Sequence, residues 1–128
     1  MRKRLWFLLA LCMSVGLATA VAQKAKDATE VSPDTHRMVM DNANVRVVEI
    51  RAALGGKVPM HSHPAHLLVI LSPARVKFTF PDGKTSVVDL RPGEAIWSDA
   101  VEHSAEVLAG AVHIVTVEVK GAKATARP

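Results

Sequence analysis

Apolar and polar residues alternate along much of the chain with the two-residue period of β-strands. The clearest case is Arg75–Phe80, where valine and phenylalanine alternate with arginine, lysine and threonine. The tight-turn sequence Pro81–Lys84 follows, and Thr85–Leu90 then returns as the second arm of a predicted hairpin. Two β-branched runs, Val45–Arg51 and Val112–Val119, predict further strands.

Three shorter apolar segments add strands to this set, Met38–Met40, Leu67–Leu71 and Ala95–Trp97, and the mixed segment His103–Leu108 is a further candidate strand. Residues 67–71 are apolar at every position, which predicts a strand that is covered on both faces. Outside the first 22 residues, no window keeps a helical period for more than two turns. Short strands separated by turns roughly every 8–12 residues predict an all-β sandwich or barrel.

The first 22 residues have the pattern of a secretory signal peptide. Met1–Arg4 is positively charged, Leu5–Ala18 is apolar, and small residues allow cleavage after Ala20 or Ala22. The apolar run is shorter than the roughly 20 residues that a membrane-spanning helix needs. We therefore expect an exported protein, periplasmic or secreted, with no membrane attachment after cleavage.

The predicted boundaries divide the chain into a signal peptide (1–22), a flexible lead-in (23–36), a β-barrel (37–120) and a flexible tail (121–128). The chain has 16 Lys and Arg against 12 Asp and Glu, and cleavage would leave 13 against 12. A nearly neutral chain without a basic cluster gives no reason to expect a nucleic-acid partner. The single cysteine, Cys12, lies in the leader, so we expect no disulfide.

Three of the six histidines lie close together, at His61, His63 and His66. On an extended backbone His61 and His63 point to the same face, because side chains alternate along a strand. Two imidazoles on one face are a common basis for a metal site. The segment from residue 51 to 80 contains no Asp or Glu, so a metal there would lack a local carboxylate ligand.

These residues resemble the motifs of the cupin family. Gly55, followed after five residues by His61 and His63, matches the first cupin motif. Pro92–Glu94 (Pro-Gly-Glu) and the later His103 match the second motif. The likeness extends over roughly residues 44–119 and is strongest with small single-domain cupins of unassigned activity.

The resemblance implies a jelly-roll barrel, also called a double-stranded β-helix, with one divalent metal ion near its mouth. It carries over His61, His63 and His103 as metal ligands. The cupin glutamate falls at Leu67 or Leu68 and is lost, and Val107 replaces the second-motif asparagine. The residues do not choose among Fe, Mn, Ni, Zn and Cu.

The lost glutamate leaves three interpretations open. The three histidines can suffice, His66 can act as the fourth ligand, or the site can be degenerate and bind no metal. On a regular strand His66 would point away from His61 and His63, although Pro64 can break that regularity.

Five other residues are weighed as candidates for a role in the predicted site. His113 fits a hydrogen-bonded core histidine better than a cavity-lining ligand, and Trp97 fits core packing better than a pocket wall. His36 lies in the polar lead-in and is expected to be solvated. Glu49 and Glu102 are the nearest conceivable carboxylates in the sequence.

Two functions therefore remain from the sequence. The first is an exported cupin-domain protein that binds a divalent metal through its histidine cluster and acts as a metal-dependent oxygenase- or isomerase-type enzyme on a small molecule. The alternative is a non-catalytic module that binds a small ligand or a metal at a degenerate cupin site. An exposed edge strand would also be compatible with a homodimer.

Overall fold

The computed structural model describes residues 24–121, so the predicted signal peptide and residues 122–128 of the predicted tail lie outside the described part. The described chain contains one short helix and nine strands: α1 (Ala28–Val31), β1 (His36–Asp41), β2 (Val45–Ala52), β3 (Lys57–His63), β4 (His66–Ile70), β5 (Ala74–Thr79), β6 (Thr85–Leu90), β7 (Ala95–Ser98), β8 (Val101–Gly110) and β9 (Val112–Val119). Within residues 24–121, no helix has the length and apolar character needed to cross a membrane.

The strands form two antiparallel sheets, as a jelly-roll barrel requires. One sheet has the order β1-β2-β9-β4-β7 and the other has the order β3-β8-β5-β6. β5 and β6 form the predicted hairpin, with Ala74 opposite Leu90 and Thr79 opposite Thr85. The predicted all-β jelly roll is therefore confirmed.

The apolar core lies between the two sheets towards one end of the barrel. Its buried members come from both sheets: Ile70, Ala74, Val76, Leu90, Val107, Val112 and Ile114. Val76, Phe78 and Phe80 face the interior, as the alternation on β5 predicts. Burial of these aliphatic groups is the main stabilising contribution to such a domain.

The facing of strand β9, which the sequence left open, is set in the structure. Val112, Ile114, Thr116 and Glu118 are buried, with Glu118 only 3% exposed. His113 and the following valines face outward, although they form the more apolar set. On this inward face Ile114 packs into the core, and Glu118 lies at the other end of the strand beside Arg46 and His63.

Residues 24–36 do not form the separate flexible lead-in that their polar composition suggests. The Asp27 side chain caps α1 by accepting a hydrogen bond from the Thr29 N–H. The Ser62 N–H donates to the Lys26 carbonyl at 2.8 Å, and Asp27 pairs in parallel with Ser62. This segment therefore covers the outer edge of β3 and extends the fold towards the N-terminus, so the barrel begins before residue 37.

Candidate metal site

Five of the six histidines line one internal cavity of about 260 Å³. They are His36, His61, His63, His66 and His103. Four of the five are buried as whole residues, and the fifth, His103, is half-buried. The cavity extends from this histidine cluster to the aliphatic core between the sheets.

The backbone of β3 places His61 and His63 on the same inner face. A bulge between Val58 and His61 adds one residue relative to β8, because Val58 pairs with Ala105 and His61 pairs with His103. Both Val58 and His61 consequently face the cavity although they are three positions apart. The bulge contains Pro59, which has no N–H to donate to a ladder.

His103 on β8 pairs directly with His61 on the neighbouring strand β3. Their ring centroids are 4.7 Å apart, and the centroid of His103 is 5.4 Å from that of His63. The His61 and His63 centroids are also 4.7 Å apart. The structure thus brings together the three ligands that the cupin motifs imply.

His66 reaches the same cavity from the opposite sheet. β3 belongs to the four-stranded sheet and β4 to the five-stranded sheet, so the chain changes sheets at Pro64 and Ala65. The expectation that His66 points away holds only for one continuous strand, and the proline interrupts that strand. The His66 centroid is 5.0 Å from that of His63.

His36 is a member of the cluster that the sequence does not reveal. It is 4% exposed, and its ring centroid lies 5.4 Å from that of His61 and 5.9 Å from that of His63. The expectation of a solvated side chain is wrong because β1 pairs with β2, which turns this first strand residue inward. The rest of β1 is exposed, so no periodic apolar pattern marks the position.

The tightest set of ligand atoms within residues 24–121 belongs to His36, His61 and His63. One nitrogen from each of these rings lies within 4.8 Å of the others. His61 and His63 are therefore common to this set and to the motif-derived set with His103. They form the centre of the cluster, with His36, His66 and His103 around them.

The hydrogen bonds fix the tautomer of two rings. Nδ1 of His61 lies 2.7 Å from the Pro59 carbonyl, and Nδ1 of His66 lies 2.7 Å from the Pro64 carbonyl. Because a carbonyl can only accept, each Nδ1 carries the proton and donates it. Nε2 of each neutral ring then has a free lone pair.

The geometry around His63 fits a bound cation better than a metal-free hydrogen bond. His63 Nε2 lies 2.9 Å from His61 Nε2, and His63 Nδ1 is buried without a hydrogen-bond partner. A proton on Nε2 would bond to His61 but leave Nδ1 unpaired, and a proton on Nδ1 would leave two lone pairs facing each other. Two nitrogen ligands at about 2.0–2.1 Å from one ion are about 2.9 Å apart at the right angle of an octahedral site and about 3.3 Å apart at the tetrahedral angle that Zn²⁺ prefers.

A buried charged network lies behind His63. Arg46 donates two hydrogen bonds to the Glu118 carboxylate and one to Asp27, and its second bond to Glu118 measures 3.0 Å. Glu118 Oε1 lies 3.8 Å from Nδ1 of His63. The sequence provides no indication of this carboxylate, which is nearer to the site than Glu49 or Glu102.

The environment keeps the network charged and keeps His36, His61 and His103 neutral. Burial alone would raise the pKa of Glu118, but His63 and the Arg46 guanidinium outweigh burial and hold it below its ordinary value. Burial, reinforced by neighbouring histidines, lowers the pKa of His36 to about 4 and that of His103 to about 3. Burial also lowers the pKa of His61, so that neutral imidazoles face the cavity.

The metal-free protein is expected to lose stability as the pH falls below 6.5. The folded pKa values of His36 and His103 lie below the ordinary 6.5, so the unfolded chain binds more protons between about pH 4 and 6.5. Stability is then fully present above pH 6.5 and decreases towards pH 4. For His36 alone the loss between pH 7 and pH 5 is about 2 kcal/mol.

Urea unfolding in the presence of a chelator measures this loss. The free energy of unfolding should be lower at pH 5 than at pH 7, and His36→Asn should reduce the difference. Equal free energies at the two pH values would contradict the assignment of buried neutral histidines.

The remaining candidates lie outside the cavity. His113 Nε2 is 3.0 Å from Glu49 Oε1 on the outer face of the five-stranded sheet, so neither a core position nor a ligand role applies. Trp97 is 40% exposed, and its ring N–H donates to Asp99, so it neither fills the core nor lines the cavity. Glu102 does not line the cavity either.

Comparison with known proteins supports the fold through solved structures. A cupin domain from Bordetella pertussis Tohama I aligns with 77% of this chain and 99% of its own, at 22% identity and a TM-score of 0.63. A cupin superfamily protein from Desulfitobacterium hafniense DCB-2 aligns with 66% of this chain and 74% of its own, at 18% identity and a TM-score of 0.50. No protein-family model matches the chain, and no curated protein matches it.

Proposed function

Because the chain has the cupin fold, we propose that it binds one divalent transition-metal ion inside the barrel, between His61 and His63. The observation that supports this most strongly is the 2.9 Å separation of the two buried Nε2 atoms. A nitrogen-rich site of this kind suits Zn, Cu, Fe, Ni or Mn, and the ligand set does not choose among them.

His36 and His103 each have a ring centroid within 5.9 Å of both central rings and are the proposed further ligands. His66, next to His63, is a third candidate for the position of the lost cupin glutamate. Glu118 supplies the carboxylate from behind His63, where it faces Nδ1 and favours the tautomer whose Nε2 is free. The proposed ligand set is therefore neutral, with a negative charge one layer further out.

The cavity beside the cluster supports a role on a small molecule. A bound metal ion would supply a Lewis acid that polarises an oxygen atom of a small ligand. The chain's own contributions are to fix the orientation of His61 through the Pro59 carbonyl and to exclude water by the aliphatic walls of the cavity. The cavity is large enough to hold the small substrate of an oxygenase- or isomerase-type enzyme.

A non-catalytic binding module is the second candidate. The described residues that line the cavity include no Asp, Glu, Lys or Arg, so histidines are the only lining groups suited to proton transfer. Metal-loaded protein that consumes oxygen or converts members of a panel of phenols, thiols and keto acids would favour the enzyme. Stoichiometric metal without any turnover would favour the module.

Metal binding is tested by titrating the chelator-treated protein with Co²⁺ and recording the visible absorption of the bound ion. We expect saturation at one equivalent per chain and displacement of Co²⁺ by Zn²⁺. Absence of a saturable signal, together with no metal retained after dialysis, would contradict the proposal.

Export and self-association are separate proposals. The apolar leader supports export to the periplasm or the medium, and mass spectrometry of the exported protein would detect cleavage after Ala20 or Ala22. Edge strand β1 exposes Met38, Val39 and Met40 at 46%, 51% and 50%, which supports a homodimer. Sedimentation measurements would test that proposal.

A further inference from the structure

The walls of the cavity define the kind of molecule that it accepts. Apart from the five histidines, the lining side chains are aliphatic or aromatic, with three hydroxyl groups as the only other polar ones. Thr116 donates its hydroxyl proton to the Val48 carbonyl, and Ser98 donates to the Asp99 carbonyl. The third, Ser86, belongs to an exposed residue on edge strand β6.

An ionic group on a ligand would find no partner away from the histidine cluster. None of the described lining residues is Asp, Glu, Lys or Arg, and the aliphatic end is formed by residues such as Val76, Leu90 and Val107, each at most 5% exposed. Moving a charged group into such surroundings is costly unless it is paired. The aliphatic end therefore selects an uncharged group.

The cavity also has an aromatic wall next to the proposed metal ligands. Phe78 lies 4.8 Å from His103 between ring centroids, with 36° between the ring planes. Phe80 lies 6.5 Å from the same histidine. Phe78 projects into the cavity from β5, and Phe80, just after the end of β5, also lines the cavity, so a planar molecule can lie between the sheets with its face on this wall.

The size of the cavity sets the size of the molecule. A water-sized group occupies about 30 Å³ in a liquid, so 260 Å³ holds roughly nine such groups. Exposed lining residues on the edge strands, Ser86 on β6 and Ile96 on β7, mark the side from which a ligand can enter.

We infer that the ligand is an uncharged, planar and mainly apolar molecule of roughly ten non-hydrogen atoms, with one oxygen that faces the histidine cluster. This inference rests on the proposed metal site for the role of the oxygen, whereas the apolar selection rests on the cavity walls alone. The aromatic part packs against Phe78, and its far end lies among the aliphatic side chains.

The probe is 2-naphthol, which has this size and shape, and its binding is measured by fluorescence with metal-free and Zn²⁺-loaded protein. Naphthalene lacks the oxygen, and 6-hydroxy-2-naphthoate keeps the hydroxyl group but adds a charge at the far end. We expect 2-naphthol to bind at least about ten-fold more tightly than the naphthoate, a difference of about 1.4 kcal/mol. Zn²⁺ should tighten the binding of 2-naphthol but not that of naphthalene.

A matched pair of variants shows whether the probe occupies the cavity. Val88 lines the cavity, whereas its neighbour Val87 is 55% exposed on the outer face of the same strand. We expect Val88→Phe to weaken 2-naphthol binding at least about ten-fold and Val87→Phe to leave it unchanged, with metal content unchanged in both.

The results separate the inference from the proposed metal site. Failure of the wild type to bind metal would overturn the metal site, and the apolar selection would still be measured with metal-free protein. Equal binding of 2-naphthol and the naphthoate, or no binding of 2-naphthol, would overturn the inference. Equal binding of 2-naphthol by Val88→Phe and Val87→Phe would overturn the inference as well. If Val88→Phe does not fold, the comparison of the three probes on wild-type protein decides whether the inference holds.

Discussion

Replacement of His61 by alanine should lower the affinity for Co²⁺ or Zn²⁺ at least about 100-fold. Loss of a residue that only supports a metal ligand typically lowers metal affinity about 10–100-fold, and loss of the ligand itself should cost no less. His61 lies at the centre of the cluster, opposite His103 and 2.9 Å from His63 between Nε2 atoms. The ring is buried but small, and the surrounding barrel should keep the variant folded.

The matched control is His113→Ala. His113 lies on the outer face of the same barrel and bonds to Glu49, so this variant also removes an imidazole but leaves the cavity untouched. Its metal affinity should equal that of the wild type. Equal losses in the two variants, or none in His61→Ala, would contradict the assignment of the site.

Replacement of Arg46 by methionine should destabilise the protein by about 3 kcal/mol. Methionine retains the apolar part of the side chain but leaves the Glu118 carboxylate, 4% exposed, without its cationic partner. An unpaired buried charge costs more than the intact pair contributes. The measurement is the free energy of unfolding at pH 7 without metal.

Two controls accompany the Arg46 variant. Arg75→Met breaks the exposed pair with Asp89 and should change stability little, because solvent screens that pair. Addition of Glu118→Leu to Arg46→Met should restore part of the loss, because the orphaned charge is then removed as well. A loss in Arg46→Met no larger than that in Arg75→Met would show that the buried network is not structurally important.

Most of the fold follows from local patterns in the sequence. The alternation in residues 75–80 and the turn before residue 85 define the β5–β6 hairpin, and the β-branched runs match β2 and β9. Such signals are strong because they depend only on neighbours along the chain. Local patterns could not predict which face of β9 points inward, since that is determined by the sheet around the strand.

The site was predictable only in part for the same reason. His61 and His63 are recognisable because both are on one strand, and His103 because the cupin motif includes it. His36 and Glu118 enter through pairing of distant strands, with His36 opposite Ile50 and Glu118 opposite both Arg46 and His66. No spacing in the sequence records those partners, and polar and charged residues are ordinarily solvent-exposed.

The most direct test is a crystal structure of the Zn²⁺-loaded protein with data collected at the metal absorption edge. We predict one anomalous peak per chain within about 2.0–2.2 Å of Nε2 of both His61 and His63, with a nitrogen of His36, His66 or His103 completing the ligand set. A peak elsewhere, or no peak together with a retained hydrogen bond between the two Nε2 atoms, would contradict a metal site in this barrel.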